Sequence, residues 1–294
     1  MRITQGTLVQ GTLDRLRLRL EQLQAAQARI ASGKVIQRPS DDPGRMGSAL
    51  AVRALQRVRE QQARAAQDGQ TWVDLTDSKL RSAAEALQRV RELAVRAAST
   101  SSATERAAIA TEITAVRDEL VAIANARNGD QGLFSGTSAN PAVSLVGGTW
   151  SYTGDATRVV RRVGDGDDVT VSLTADRVFG FAAGEDVFTM LDGLASLVTA
   201  GDPAAVGAAI ADVDRALGRV LDGLAEIGGA GKRIERALAR NAEEQQALIT
   251  QLSELEDVDL AEAIMELQLQ EVSYQATLST MSRVLQPSLA DFLR

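Results

Sequence analysis

Residues 203–255 read PAAVGAAIADVDRALGRVLDGLAEIGGAGKRIERALARNAEEQQALITQLSEL, and this stretch decides the fold. Val206, Ile210, Val213, Leu217, Val220, Leu224 and Ile227 recur in alternating steps of four and three. The register continues through Gly231, Ile234, Leu238, Asn241, Gln245, Leu248, Leu252 and Leu255, with Gly231, Asn241 and Gln245 as its weak positions. An apolar repeat of about 3.5 residues is a coiled-coil seam. Asp202-Pro203 supplies the start, an N-cap followed by proline at the first helical position. One helix over 204–255 is roughly 78 Å long at about 1.5 Å per residue.

A helix of that length needs partners, and the amino-terminal side offers them. Val9, Leu13, Leu16, Leu20, Leu23 and Ile30 keep a seam that Ser32-Gly33 interrupts. Ser40-Asp41-Asp42-Pro43 then reads as a helix start, with Asp42 as cap and Pro43 as first residue. The helix that follows is expected to run to about Ala98, with Thr76, Leu80, Ala83, Leu87, Val90, Ala94 and Ala97 as its later seam. Ser102-x-x-Glu105 is a capping box opening another helix, read from Ile109, Ile113, Val116, Leu120 and Ile123 and ending at Asn128-Gly129. A last helix opens at Asp259 and carries Ile264, Leu267, Tyr274, Leu278, Met281 and Leu285.

The middle of the chain changes period. Six of the aromatic residues (Phe134, Trp150, Tyr152, Phe179, Phe181, Phe188) lie between 134 and 188, whereas 44–140 and 204–286 contain no proline. Thr149–Thr153, Arg158–Val163, Val169–Leu173 and Val178–Phe181 are short runs rich in β-branched and aromatic residues, separated by Gly147-Gly148, Thr153-Gly154-Asp155 and Gly164-Asp165-Gly166-Asp167. A short helix from Asp186 to about Thr199 leads back. The expected fold is therefore mainly α: a long antiparallel helical coiled-coil rod from both chain ends, with a small antiparallel β domain inserted in the middle. The expected division is 1–38 (terminal assembly helix), 39–134 (first half of the helical rod), 135–184 (inserted β domain), 185–258 (second half of the rod) and 259–294 (carboxy-terminal assembly helix).

Composition removes most chemistry. Histidine and cysteine are absent, which excludes serine–histidine and cysteine–histidine nucleophile pairs, thiol redox chemistry, disulfides and the common zinc sites. The net charge of −7, from 32 basic and 39 acidic residues, argues against nucleic-acid binding. No apolar run is long enough for a membrane span, and the amino terminus carries no secretory signal pattern. No enzyme activity, cofactor, metal or membrane insertion is expected.

The clusters that imitate sites have simpler readings. Gly164-Asp165-Gly166-Asp167-Asp168 departs from a calcium loop at Val169 and Thr170, and reads as a hairpin turn. Gly228-Gly229-Ala230-Gly231-Lys232 lacks Walker spacing and continues the heptads, which suits a close-packed or bent helical segment. Asp41-Asp42 and Asp257/Asp259 lie before helices and read as caps. Arginines along 45–64 read as a solvated helix face, with intersubunit pairing as the alternative.

The chain ends are the candidate functional surface. Leu8, Leu13, Leu16, Leu20 and Leu23, with Ile264, Leu267, Tyr274, Leu278, Met281, Leu285, Leu289, Phe292 and Leu293, give both ends wide apolar faces. Packing the two ends on each other leaves apolar surface over, and such excess marks assembly.

The segments Arg29-Ile30-Ala31-Ser32-Gly33-Lys34 and Arg38-Pro39-Ser40-Asp41-Asp42-Pro43 resemble the amino-terminal signature of the flagellin superfamily, in the proline-bearing form of its hook-associated members. Asp257-Val258-Asp259-Leu260-Ala261-Glu262 and Leu289-Ala290-Asp291-Phe292-Leu293-Arg294 resemble the family's other end, and Tyr152-x-Gly154-Asp155, Val163-Gly164-Asp165-Gly166 and Val178-Phe179-Gly180 its small β domain. The resemblance implies a structural adaptor of the bacterial flagellum, joining hook to filament, exported uncleaved and located outside the cell. It implies as partners a ring of identical subunits, another hook-associated protein on the hook side, flagellin on the filament side and a flagellar export chaperone. The rival readings are a flagellin filament subunit and, from another class, a helical-bundle sensor with an apolar pocket among Trp150, Tyr152 and Phe179.

Overall fold

A computed structural model of the chain describes residues 5–285. In chain order these form α1 (Gln5–Ser32), α2 (Pro43–Ser99), α3 (Ala103–Ala124), β1 (Arg127–Asn128), β2 (Gln131–Gly132), β3 (Val143–Val146), β4 (Thr149–Tyr152), β5 (Val160–Gly164), β6 (Asp167–Thr170), α4 (Ala175–Val178), α5 (Val187–Ala200), α6 (Pro203–Glu256) and α7 (Leu260–Leu285). The fold is mainly helical, with long antiparallel helices from both chain ends and small antiparallel hairpins in the middle. Two compact units divide it: residues 58–244, and residues 1–57 together with 245–294.

Capping residues set the helix starts. Asp42 Oδ1 accepts the Arg45 N–H at 2.9 Å, Ser102 Oγ that of Glu105 at 3.4 Å and Asp186 Oδ1 that of Thr189 at 2.7 Å. Asp202 Oδ1 accepts from Ala204 and Ala205, and Asp259 Oδ1 from Ala261 and Glu262. Each satisfies N–H groups that the first helical turn leaves without partners. The box at Ser102 is half made, because the Glu105 carboxylate accepts from the Thr100 hydroxyl instead of reaching back to the Ser102 N–H.

Within the 58–244 unit, α2 and α6 run antiparallel. Gly69 faces Ile234, Val73 faces Gly231, Leu80 faces Gly223, and Arg91 pairs with Asp214 at 2.8 Å, so each advance along α2 matches an equal retreat along α6. Thr76, Leu80, Ala83, Leu87, Val90, Ala94 and Ala97 are all buried, and so are Val206, Val213, Val220, Ile227, Ile234 and Asn241. The other half of the α6 seam differs from expectation: Ile210, Leu217, Leu224 and Leu238 are only half-buried. The small residues Ala216, Gly223, Ala230 and Ala237 take the inner positions. A Cβ on Gly223 would stand 3.2 Å from Leu173, and one on Gly231 3.2 Å from Val73. Glycine at these positions leaves room for the Leu173 and Val73 side chains, and the larger apolar groups flank the contact. Gly231 thus sits in a close-packed helical segment, while Gly228 and Gly229 face open space.

Buried Asn241 donates to the Arg59 carbonyl at 2.9 Å, which satisfies the amide of a weak seam position. The helix α3 packs on α5, and Ile109, Ile113, Val116, Leu120 and Ile123 of α3 are buried. It ends at Ala124 with Asn125 as cap, four residues before the expected stop, because Asn128-Gly129 opens the turn of the β1–β2 hairpin.

The strands form three separate two-stranded antiparallel hairpins. Gly147 and Gly148, both at positive φ, turn β3 into β4, and Asp165-Gly166 turns β5 into β6. Val178–Phe181, expected as a strand, is instead the end of α4 followed by a tight turn at Phe181–Ala183. Val178 and Phe179 are both buried although adjacent, which a one-sided strand cannot achieve, and Gly180 at φ +89° terminates the helical turn.

The aromatic partition of the sequence becomes one connected cluster. Ring centroids lie 5.8 Å apart for Phe134–Phe179, 5.5 Å for Phe179–Phe188, 5.6 Å for Trp150–Phe188, 5.8 Å for Phe181–Phe188 and 6.4 Å for Tyr152–Phe181. Asp155 braces the adjoining loop, accepting from the Thr137 N–H at 3.0 Å, the Thr137 hydroxyl at 2.7 Å and the Thr157 N–H at 2.9 Å.

Candidate functional site

The clusters that imitate sites resolve into structure. Asp165 pairs with Arg59 at 2.8 Å, and Asp167 with Arg233 at 2.8 Å and Arg240 at 3.1 Å, so guanidinium groups satisfy the acids of the calcium-like turn. These pairs strap the β5–β6 hairpin onto the helices. Among the described residues no group of acidic side chains is arranged to hold a metal ion, and no helix is long and apolar enough to cross a membrane. The space among Trp150, Tyr152 and Phe179, where a sensor would keep its pocket, is occupied by Phe181 and Phe188. The arginine face of 45–64 is only partly solvated: Arg59 is largely buried between Asp165 and Glu244, and Arg53 binds Glu256.

In the unit of residues 1–57 and 245–294, two linkers meet between the terminal helices. Gly33, at φ +68°, closes α1 by donating to the Arg29 carbonyl at 2.9 Å. Beyond it Val35 N–H donates to Glu256 C=O at 2.7 Å and Val258 N–H to Gly33 C=O at 3.0 Å, an antiparallel bridge centred on Lys34 and Asp257. The Glu256 carboxylate is buried and takes Lys34 Nζ at 2.8 Å and Arg53 at 2.7 Å. Asp257 is thus a bridge residue that accepts from Ser253, and Asp259 is the cap.

The signature Ser40-Asp41-Asp42-Pro43 divides its work. Asp42 caps α2 and Pro43 opens it, Ser40 is exposed, and Asp41 Oδ2 gathers the N–H groups of Arg38 at 2.8 Å and Gln37 at 3.1 Å. The bond from Arg38, then that from Gln37, holds the Asp41 carboxyl below its usual range.

Burial alone would raise the pKa of Glu256, but the Lys34 hydrogen bond and the Arg53 and Lys34 charges outweigh it and lower the value. A depressed folded-state value stabilises the bridge fully at neutral pH, and that stability drains as pH falls below the ordinary 4.5 toward the lowered value. Removing one partner of a fully buried pair costs about 3–5 kcal/mol. Lys34 and Arg53 are 44% and 40% exposed, so solvent screens the loss. Glu256→Ala is therefore expected to cost the bridge about 1–2 kcal/mol, roughly a tenfold fall in hydrogen-exchange protection of the Val35 and Val258 amides. Glu256→Gln should abolish the acid-side loss; unchanged acid sensitivity in that variant would refute the assignment.

The helices α1 and α7 pack antiparallel. Leu16, Leu23 and Ile30, with buried Ala26, face Leu267, Tyr274 and buried Met281 and Ala263, and Arg29 pairs with Glu266 at 3.1 Å. The expected apolar set is thus split. Leu13, Leu20, Ile264 and Leu278 are exposed, while Leu16, Leu23, Leu267, Tyr274 and Met281 turn inward. The side chains of Leu8 and Leu285, and all of Leu289, Phe292 and Leu293, lie outside the described residues. Sequence reading missed Met265, Leu269 and Val272, 64%, 64% and 63% exposed, on the face of α7 opposite the inner seam. Their spacing of four and three carries a second apolar stripe, and one stripe had already been assigned. A helix apolar on two sides can hold one partner within the chain and another outside it.

The family model of the bacterial flagellin N-terminal helical region matches residues 6–139, and that of the bacterial flagellin C-terminal helical region matches residues 210–293. The chain is 27% identical over 274 residues to flagellar hook-associated protein 3 of Escherichia coli, covering 84% of this chain and 86% of that one. It is 25% identical over 279 residues to flagellar hook-associated protein 3 of Salmonella typhimurium, covering 86% and 87%. In fold it is similar to the flagellar junction protein FlgL of Legionella pneumophila, with a TM-score of 0.61, 16% identity, and coverage of 71% of this chain and 99% of that one.

Proposed function

Because the chain belongs to the flagellin family, we propose that it assembles through its two terminal helices into the junction between flagellar hook and filament. It is a structural protein of the flagellum and not an enzyme. The observation that carries the assembly reading is the two-sided apolarity of α7, one side on α1 and the other open. Similarity to hook-associated protein 3 over most of the chain favours the junction role over that of a filament subunit.

In this reading copies of the chain form a ring, with another hook-associated protein on the hook side and flagellin on the filament side. A flagellar export chaperone holds the carboxy-terminal segment before secretion, and the chain leaves the cell uncleaved. The segments 1–38 and 259–294 assemble, 39–134 and 185–258 form the helical body, and 135–184 is the outer insertion.

The test is a strain lacking the chain and any duplicate copy, with its hooks viewed by electron microscopy and flagellin assayed in the medium. Bare hooks with abundant free flagellin are expected. Bare hooks with no flagellin anywhere would make the chain the filament subunit, and intact filaments would overturn the flagellar reading.

A further inference from the structure

The α1–α7 pair is charge-polarised along its length. Arg15, Arg17 and Arg19 cluster near the middle of α1 between Asp14 and Glu21, on the half of the pair away from the bridge, and Glu262, Glu266 and Glu271 lie on the bridge-proximal half of α7. Among the described residues only Arg29–Glu266 joins the two helices by an ion pair. Arg15 has no ion pair there, Arg17 approaches only the exposed Asp14 at 3.9 Å, and Arg19 binds Gln22. Glu262 and Glu271 have no ion pair among the described residues either.

The basic half also holds a groove of about 430 Å³ between the helices, walled by Arg15, Leu18, Arg19 and Gln22 on α1 and by Ala276, Thr277, Thr280 and Met281 on α7. Its only charges are basic, and Leu18 within it is 54% exposed. The opposite character lies on the acidic half of α7. Glu262, Met265, Leu269 and Val272 follow one another in steps of three, four and three, an exposed stripe with an acid at its head.

We infer that this groove receives the Glu262–Met265–Leu269 stripe of α7 from a second copy of the chain. Carboxylate meets guanidinium, and Met265 and Leu269 cover Leu18. The inference rests on the terminal helices being the assembly surface and names what seats on what. The groove lies opposite Thr277, twelve residues from Met265, so the second copy is displaced by about 18 Å along the pair at about 1.5 Å per residue. Such a contact is head-to-tail, each copy offering a groove to one neighbour and a stripe to the other.

The chain has no cysteine, so an introduced pair reports alone. Leu18→Cys and Met265→Cys in one chain are about 18 Å apart, beyond the roughly 7 Å Cα separation a disulfide spans, and can join only between copies. Flagella from a strain whose only copy carries both should, on oxidation, release a ladder of multimers of the chain, and neither single variant should. Monomers alone from incorporated double variant would overturn the inference, as would a cross-link to a protein of different mass.

A charge series decides independently, including where the double-cysteine chain is not incorporated. Arg19→Glu and Glu262→Arg should each lower incorporation about tenfold, and the two together should restore it, since like charges across an interface cost several kcal/mol. Silent single variants, or no restoration, would refute the pairing. A chain ending before Asp259 separates the failures. If that chain incorporates normally the assembly reading falls; if it does not and the charge variants are silent, only the pairing falls.

Discussion

A chain ending at residue 258 is expected to leave thermal unfolding of the 58–244 unit unchanged while its retention at hook tips drops to background. Both halves follow from where the apolar contacts lie. The main hydrophobic cluster draws its buried residues from Ala66 to Ala237, all within that unit, so truncation removes none of them. The lost α7 has Met265, Leu269 and Val272 mostly exposed and packs on α1 along one narrow seam. Elements with few buried contacts open at small free-energy cost, and their loss does not propagate. What disappears is the surface assigned to docking. Circular dichroism melts of the purified chains and immunoblots of isolated hooks test the two halves. Normal filaments from the truncated chain would sink the assembly reading, and a lower melting temperature would show that α7 supports the central unit.

Phe188→Ala is expected to do the reverse, lowering the melting temperature of the centre and sparing the ends. Phe188 is fully buried and its ring touches those of Trp150, Phe179 and Phe181, so it is the hub joining the hairpin region to α5. A buried phenylalanine reduced to alanine costs about 3–5 kcal/mol, and broken ring pairs add up to about 1 kcal/mol each. For a unit of this size the melting temperature should fall on the order of 10 °C. Leu145→Ala is the control: Leu145 is 56% exposed on β3, and its loss should stay within about 0.5 kcal/mol. A drop below about 1 kcal/mol for Phe188→Ala would mean that the ring cluster contributes little.

The helices were legible because their ends are written locally. The side chains of Asp42, Ser102, Asp186, Asp202 and Asp259 each accept N–H groups two or three residues ahead, well inside a reading window. Burial at Thr76, Leu80, Ala83 and Leu87 followed from period alone. Val178–Phe181 misled because β-branched and aromatic side chains are chosen there for burial, which a strand or a helical turn can provide equally. The inward turn of Ala216, Gly223, Ala230 and Ala237 was illegible for a different reason. Apolar periodicity ranks positions by side-chain size, whereas a position that a large neighbour such as Leu173 or Val73 presses against takes the smallest.

At the candidate site one apolar stripe of α7 was legible, and the second, Met265, Leu269 and Val272, was missed. Leu267 and Leu269 look alike in sequence, and only the position of α1 separates inner from outer. Glu256 escaped notice altogether. Its partners Lys34 and Arg53 lie more than two hundred positions away, and no local pattern marks a carboxylate that two distant cations will bury.

The equal stepping of α2 against α6 also limits how such a chain can change length. Deleting one residue from either helix would turn everything beyond it by about 100° and carry Leu80 or Ile227 off the contact line. Deleting seven from one helix alone would keep the angle but set Gly223 and Gly231 against the wrong neighbours. Length is therefore lost or gained at least cost in near-whole numbers of turns such as seven or eleven residues, and in both helices at matching heights, like links taken from both sides of a ladder chain. The hairpin turn at Gly147-Gly148 has no opposite number, so single insertions can accumulate there.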